Sequence, residues 1–301
     1  MIIMFIDTHA HMDHSRFSSD RKAILKSAKD SGIGFIINPA IGFETNMTME
    51  KELDAYDWIY YAKGIHPNFL GTDDTVDEKW EKHLIQCIEN NAGYRIAAIG
   101  ETGLDFHRLS RTEYGGLDET GVITLSRQYK WFRKQLKLAA RYGLAVVLHI
   151  RNANEEAIRS AKGIPADICI EHIDAHKEAI KILAEFQDDL LPSVKGVIHC
   201  FTGKDIEDAN KYISMGYMLG IGGAVTYENN VELRKIVREI PLKSIVLETD
   251  APYVMPEGLN GKRNTPLNIP YIAKCIADIK GISVKEVEDI TTANAIRLFR
   301  F

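Results

Sequence analysis

The chain has few cysteines, and they are not clustered. Its 301 residues include four cysteines, at positions 87, 169, 200 and 275, and no pair has the Cys-x-x-Cys spacing. Scattered cysteines exclude a disulfide framework and a zinc knuckle, which both need cysteines at defined short spacings. We therefore expect reduced thiols, as in proteins of the cytoplasm.

The sequence also lacks a long apolar run and an excess of positive charge. The run Ile2–Ile6 is too short for a signal peptide or a membrane span, and Asp7 interrupts it. The formal net charge is -5 and the pI is about 6.1, which excludes a global basic field for nucleic acid, so that phosphate binding must be local. We expect no membrane partner and a cytoplasmic location, or a nuclear one in a eukaryote.

Eight short apolar runs alternate with stretches of helical periodicity. This alternation predicts a parallel sheet with crossover helices, and eight units in 301 residues favour a single-domain (β/α)₈ TIM barrel over an open doubly wound sheet. No Gly-x-Gly-x-x-Gly follows the first run, which argues against a dinucleotide-binding fold. The predicted strands are Ile2–Ile6, Gly34–Asn38, Trp58–Gly64, Tyr94–Gly100, Leu144–Leu148, Val197–Ile198, Tyr217–Ile221 and Ser244–Leu247.

Helices are predicted between these strands and after the last one. A further short strand is possible at Ile168–Ile170. The predicted helices are Asp20–Asp30, Asn46–Tyr56, Asp77–Asn91, Thr124–Tyr142, Asn154–Lys162, Ala175–Phe186, Asp205–Met215, Val231–Glu239, Ile269–Asp278, Ser283–Asp289 and Thr292–Phe299.

Six metal-ligand side chains follow the predicted strands. Alone, each would more often be a helix cap, a turn residue or a core histidine. In a barrel, however, the carboxyl ends of the strands converge on one mouth, where catalytic residues lie. Four imidazoles and two carboxylates there could hold two divalent ions, Zn²⁺ or Mn²⁺ more readily than Mg²⁺, with Glu101 as the natural bridge. The six are His9, His11, Glu101, His149, His199 and Asp250.

Three further residues are candidate substrate contacts. His66 precedes a proline and is either a turn residue or a site residue, and we favour the site. Arg151 and Arg263 would ordinarily form surface salt bridges, but at a barrel mouth a guanidinium matches phosphate oxygens. His172 and His176 have the spacing of one helix face. No glutamate follows His172, so the pair does not form a His-Glu-x-x-His zinc motif. We therefore interpret His172 and His176 as part of a solvated helix face with no catalytic role.

Seven motifs in order resemble those of the TatD-type metal-dependent deoxyribonucleases. They span residues 7 to 266, and residues 294–299 resemble the closing helix of that family. The motifs begin at Asp7 (DTHAH), Gly64 (GIHP), Gly100 (GETGLD), His149 (HIR), His199 (HCFTG), Leu247 (LETDAPY) and Arg263 (RNTP).

The resemblance implies an amidohydrolase-like barrel and a hydrolase that uses two metal ions on nucleic-acid phosphodiesters. It assigns His9, His11, Glu101 and Asp250 to one ion, and Glu101, His149 and His199 to the other. Two stretches, near 107–123 and 163–192, are longer and more polar than is usual in the family. Because they could shape access to the site, they bear on the choice of substrate.

The expected activity is 3′–5′ exodeoxyribonuclease action on DNA strand ends, with RNA or a small molecule as other possible substrates. The expected reaction is attack on phosphorus by a hydroxide activated at two divalent ions (Mg²⁺, Mn²⁺ or Zn²⁺). Glu101 and Asp250 are the expected catalytic residues, and Asp250 accepts the proton. One alternative is a two-metal amidohydrolase acting on a small amide, ester or lactone. A second alternative is a catalytically silent metal-binding scaffold, but the full ligand set argues against it.

Overall fold

A single parallel sheet of eight strands forms the barrel. The computed structural model describes residues 4–70, 74–90, 95–107, 121–153 and 174–301. Strands that are consecutive in the chain are neighbours in the sheet, in the order β1 to β8. The predicted eight-stranded barrel with intervening helices is confirmed. The strands are β1 Phe5–Asp7, β2 Ile33–Pro39, β3 Ile59–Lys63, β4 Ile96–Asp105, β5 Ala145–Arg151, β6 Gly196–His199, β7 Tyr217–Ile221 and β8 Ile245–Leu247.

Helices alternate with these strands, as the periodicity predicts, with ends that differ by a few residues. No helix in the described part of the chain is both long and apolar enough to cross a membrane. The predicted helix Asn154–Lys162 and strand Ile168–Ile170 lie outside the described residues. The α-helices are α1 Arg21–Asp30, α2 Phe43–Leu53, α3 Asp74–Asn90, α4 Gly121–Tyr142, α5 Ala175–Glu185, α6 Ile206–Ser214, α7 Val231–Glu239, α8 Ile269–Lys280 and α9 Val284–Phe299.

The first and last strands are joined by backbone hydrogen bonds that continue past both strand ends. The Thr8 N–H donates to the Leu247 carbonyl at 3.0 Å, and the Asp250 N–H donates to the His9 carbonyl at 2.8 Å. The predicted first strand ended at Ile6, and β1 ends one residue later, at Asp7. The chain beyond Asp7 nevertheless stays paired with the chain beyond β8, so these two segments lie side by side.

The buried carboxylate of Asp7 reinforces this junction. Its Oδ2 accepts a hydrogen bond from the Thr249 hydroxyl at 2.6 Å, and its Oδ1 accepts one from the Thr249 N–H at 3.0 Å. The same Oδ1 accepts a bond from the His9 N–H at 3.2 Å. Burial raises the pKa of Asp7 to about 7. One side chain therefore holds the loop after β1 against the loop after β8.

Strand β4 is longer than the sequence predicts. The predicted strand ended at Gly100, but β4 continues to Asp105 and pairs with β5 through Thr102–Asp105 and Leu148–Arg151. Glycine is usually depleted in strands, which is why the pattern reads as a loop. Here the glycines are needed, because a Cβ on Gly103 would lie 2.2 Å from the His149 carbonyl oxygen and the backbone φ is +138°. The extension carries Glu101 on the strand itself.

The C-terminal region has one long helix where we predicted two. The predicted break between Asp289 and Thr292 is absent, and α9 runs unbroken from Val284 to Phe299. Two consecutive threonines disfavour a helix interior. The Thr291 hydroxyl is accommodated by a hydrogen bond to the Val287 carbonyl at 2.7 Å, the back-bonding that threonine uses inside helices.

His176 is a core residue, which corrects its interpretation as part of a solvated face. Only 1% of its surface is exposed, and its ring lies 5.5 Å from that of Phe201. Its Nδ1 lies 3.2 Å from the Tyr212 hydroxyl. His172, which we predicted to lie on the same helix face, lies outside the described residues. Sequence spacing alone could not identify the face of α5 that packs on α6.

The buried His176 predicts a loss of stability in acid. Burial lowers its pKa from 6.5 to about 4, so the folded chain binds fewer protons than the unfolded chain between these values. The free energy of unfolding should therefore fall as the pH drops from 6.5 toward 4, by on the order of 3 kcal/mol from this residue. Urea unfolding of wild type and His176→Asn at pH 7.5, 5.5 and 4, with a chelator throughout, measures it. An equal pH dependence in both proteins would contradict the assignment.

Candidate metal centre

All six predicted ligand residues converge at the carboxyl-terminal mouth of the barrel. They come from the segments that follow β1 and β8 and from β4, β5 and β6. Four groups of three side chains there bring their ligand atoms within 4.8 Å of one another. Such convergence of histidines and carboxylates is the arrangement that divalent cations need.

The first group of donors faces one oxygen of Glu101. Its Oε2 lies 3.4 Å from His9 Nε2 and 3.8 Å from His11 Nε2. The Asp250 carboxylate completes the group, with Oδ1 at 3.7 Å from His9 Nε2 and 3.5 Å from His11 Nε2. Two imidazoles and two carboxylate oxygens therefore enclose one small space.

The second group faces the other oxygen of the same carboxylate. Glu101 Oε1 lies 3.1 Å from His149 Nδ1 and 3.1 Å from His199 Nε2. The two histidine nitrogens are 3.3 Å apart. Because each oxygen of Glu101 meets a different set of nitrogens, this carboxylate could bridge two cations.

Hydrogen bonds to the outward nitrogens of His11 and His149 leave a free lone pair on the inward nitrogen of each ring. His11 Nδ1 lies 3.3 Å from the Pro39 carbonyl oxygen. A carbonyl only accepts, so the proton belongs on Nδ1 and His11 Nε2 is available as a ligand. His149 Nε2 lies 3.0 Å from Asp105 Oδ2 in the same way, which leaves its Nδ1 available. Outer carboxylates and carbonyls of this kind orient histidines for metal binding.

The electrostatics of the cluster also suit a cation. Burial alone would raise the pKa of Glu101, but the neighbouring His199 and His9 hold it well below its usual range. Burial lowers the pKa of His199, but Glu101 and Glu248 together outweigh burial and raise this pKa well above the usual value. The buried carboxylates thus require positive charge, which either protons on the imidazoles or bound cations can supply. The residues present fit divalent metal ions.

His66 lies beside this cluster as a donor and not as a ligand. Its Nδ1 accepts the Asn68 N–H at 3.0 Å, so its own proton is on Nε2, which lies 3.6 Å from Glu101 Oε1. Burial and the nearby His149 lower the pKa of His66 to about 3, so the ring is neutral at pH 7. His66, Asp105 and His149 form one of the four ligand-like groups, but this proton blocks the lone pair that a cation would need.

The two predicted arginine contacts differ in their surroundings. Arg151 ends β5, two residues after His149, and it is exposed. Arg263 instead pairs with Asp20 at 2.5 Å, and its guanidinium lies 4.5 Å over the ring of Phe17. For Arg263 the structure thus shows the surface salt bridge that we had weighed against a phosphate contact.

Sequence reasoning missed two carboxylates behind the ligands. Asp105 contacts His149 as described above and accepts a bond from the Asn68 amide at 2.8 Å. Glu248 is fully buried, accepts the Cys200 N–H, and has Oε1 at 3.6 Å from His199 Nδ1. The usable signal was spacing: Asp105 lies four residues after Glu101, and Glu248 lies two residues before Asp250.

Comparisons with known proteins place the chain among metal-dependent hydrolases. The sequence profile of "TatD related DNase" matches residues 6–300. The uncharacterized metal-dependent hydrolase YabD of Bacillus subtilis is 32% identical over 299 residues, 99% of each chain. The 3′-5′ ssDNA/RNA exonuclease TatD of Erwinia billingiae is 29% identical over 98% of each chain. The crystal structure of YjjV, a TatD homologue from Escherichia coli, superposes with a TM-score of 0.78 at 29% identity and covers 100% of both chains.

Proposed function

The chain belongs to the TatD-related DNase family of metal-dependent hydrolases, and on that premise we propose that it is a 3′–5′ exonuclease acting on single-stranded DNA ends. The TatD relative of Erwinia billingiae is named as an exonuclease of both single-stranded DNA and RNA. We therefore propose that RNA ends are a second substrate.

The observation that carries this proposal is the placement of Glu101 between two sets of donors. Its Oε2 lies within 3.8 Å of the His9 and His11 nitrogens, and its Oε1 lies 3.1 Å from those of His149 and His199. We assign His9, His11, Glu101 and Asp250 to one ion, and Glu101, His149 and His199 to a second. When bound, a pair of divalent ions polarises the phosphoryl oxygens and neutralises the charge that develops on them.

The remaining groups have roles that follow from their protonation. Burial would raise the pKa of Asp250, but His11 and the other nearby histidines lower it. Its carboxylate is therefore ionised at neutral pH and can accept the proton of the attacking water. The neutral His66 presents an Nε2–H that can donate to a phosphoryl oxygen. The exposed Arg151 can bind the neighbouring phosphate.

A direct test uses single strands labelled at the 5′ end, with the 3′ end either free or blocked by an inverted nucleotide. The metal-loaded protein should shorten the free strand one nucleotide at a time and leave the blocked strand intact. A chelator should stop the reaction, and rising salt should slow it because phosphate contacts are screened. Metal-loaded protein that leaves both strands untouched but opens a lactone or cleaves an amide would instead identify a small-molecule hydrolase.

The pairing of Arg263 with Asp20 allows its proposed role in phosphate binding to be tested. If the guanidinium contacts substrate, Arg263→Ala should lower kcat/KM for a strand end by about tenfold, the scale of one charge-assisted contact. Asp20→Asn removes the ion-pair partner while the guanidinium stays, so its activity should be equal to or greater than that of wild type. Both variants are measured by kcat/KM and by melting temperature.

The two variants also separate catalysis from stability. An arginine that serves only the salt bridge should give matching results in Arg263→Ala and Asp20→Asn, namely a small shift in melting temperature and little change in kcat/KM. That outcome would remove Arg263 from the proposed substrate contacts and leave Arg151 and His66.

A further inference from the structure

An exposed tyrosine lies beside the proposed metal centre. Tyr253 follows β8, three residues after Asp250, and 41% of its surface is exposed. Its ring centroid lies 6.1 Å from that of His11, at an interplanar angle of 75°. A large aromatic side chain in this position borders the space where a reacting phosphodiester would sit.

Two residues from the loop after β1 fix this ring and add charge to it. The guanidinium carbon of Arg16 lies 5.6 Å over the ring centroid of Tyr253. The Tyr253 hydroxyl lies 3.2 Å from His14 Nε2. His14 Nδ1 accepts the Arg16 N–H at 3.0 Å, so the His14 proton is on Nε2 and donates to the hydroxyl. We call His14, Arg16 and Tyr253 the Tyr253 ledge.

We propose that the Tyr253 ledge binds one of the nucleotides at the 3′ end of the strand, its base by stacking and its phosphate through Arg16. This inference rests on the proposed exonuclease function and adds a nucleotide subsite to it. Nucleobases stack on aromatic rings and on guanidinium planes, without strong preference among bases. Arginine also matches phosphate oxygens. The ledge offers both surfaces next to the ligand His11.

The chemistry of the ledge favours a nucleotide over a neutral amide or lactone. A small neutral substrate would use neither a guanidinium nor a wide aromatic face. The net charge of -5 means that an anionic strand needs local cationic groups to approach the mouth. Arg16 is exposed at the side of the mouth formed by the segments after β1 and β8. The ledge therefore fits a strand end better than any uncharged ligand.

The test compares base-bearing and abasic strands. Three single strands each carry one abasic residue, at the first, second or third position from the 3′ end, and a fourth has all its bases. Tyr253→Ala should lower kcat/KM on the complete strand by roughly 5- to 100-fold, the range for loss of one stacked base. On the strand that lacks the base bound by the ledge, Tyr253→Ala should have no further effect. Tyr253→Phe should retain most of the activity.

Two controls separate this outcome from general damage. Tyr271 is exposed to a similar degree, 39%, and its hydroxyl contacts the Glu257 carbonyl, so Tyr271→Ala should leave all four rates unchanged. The affinity for a fluorescent single strand can be measured by anisotropy in the presence of a chelator, which prevents hydrolysis. This affinity includes the contribution of the Tyr253 ledge. Tyr253→Ala should weaken this binding by a similar factor, whereas Tyr271→Ala should not.

The possible results distinguish the two proposals. If wild type degrades all four strands and Tyr253→Ala slows each by the same factor, or none, the ledge does not bind a base and the inference is wrong. If wild type degrades no strand, the exonuclease proposal fails first. Arg16→Ala should reduce the steepness of the salt dependence by about 0.7 in log–log slope, the value for one phosphate contact on a single strand. An unchanged slope would remove Arg16 from the ledge.

Discussion

Replacing Glu101 by Gln should abolish hydrolysis. The amide has nearly the shape of the carboxylate, but it is neutral, and its NH₂ group cannot serve as a ligand. Because Glu101 Oε1 and Oε2 face different histidine pairs, the single amide oxygen can serve only one proposed metal position, so the other loses a donor and both lose the shared negative charge. We expect kcat to fall by at least about 10³-fold. Metal content by plasma mass spectrometry should fall as well, while circular dichroism shows a folded barrel.

Asp105→Asn is the matched control for that variant. Asp105 lies on the same strand as Glu101, and the two residues are 1% and 2% exposed. It contacts the outward nitrogen of His149, so its loss should disturb the orientation of a ligand but remove none. The expected cost is about 10- to 100-fold in activity or metal affinity. Equal losses in the two variants, or full metal content in Glu101→Gln, would remove Glu101 from its proposed bridging role.

The second large effect is expected from Asp250→Asn. This variant removes the proposed proton acceptor, so kcat should fall by about 10²- to 10⁴-fold even at saturating metal. The asparagine oxygen can still approach a cation, which lessens the effect on metal binding. The measurement is kcat across a metal titration, because a loss caused only by weaker binding disappears at high metal concentration.

Glu248→Gln provides the comparison for Asp250. Glu248 lies two residues earlier, is fully buried, and is 3.6 Å from the outward nitrogen of His199. We expect a smaller loss from Glu248→Gln than from Asp250→Asn, because Glu248 acts through a histidine. The reverse order would mean that Glu248, and not Asp250, accepts the proton, and the mechanism would have to be redrawn around it.

The sequence predicts the barrel well because buried parallel strands are nearly continuous apolar runs. Strand β7 and helix α7 match their predicted bounds, Tyr217–Ile221 and Val231–Glu239. The prediction failed where local propensity and tertiary structure disagree. The glycines of β4 predict a loop, but pairing with β5 keeps the segment in the sheet. The threonines of α9 predict a helix break, but packing of the helix overrides this local propensity.

The sequence was sufficient to predict which residues form the candidate site, but not which contacts these and neighbouring residues make. Position after an apolar run was enough to select the proposed ligands, since all strand ends of a barrel face one mouth. The partner of Arg263 could not be found in this way, because Asp20 is far away in the chain. Burial of His176 depends on the packing of α5 against α6. Such contacts arise from the three-dimensional arrangement and have no local sequence signal.

The joining of β1 to β8 has a consequence for how the protein is made. Asp250 is synthesised long after His9, yet the two segments are hydrogen-bonded to each other. Helix α9 follows later still, and the hydroxyl of its Thr292 bonds to the Met4 carbonyl at 2.7 Å. A nascent chain therefore cannot assemble the first ligand group until the segment after β8 has been translated. Nascent chains that end before β8 therefore lack the complete candidate metal centre.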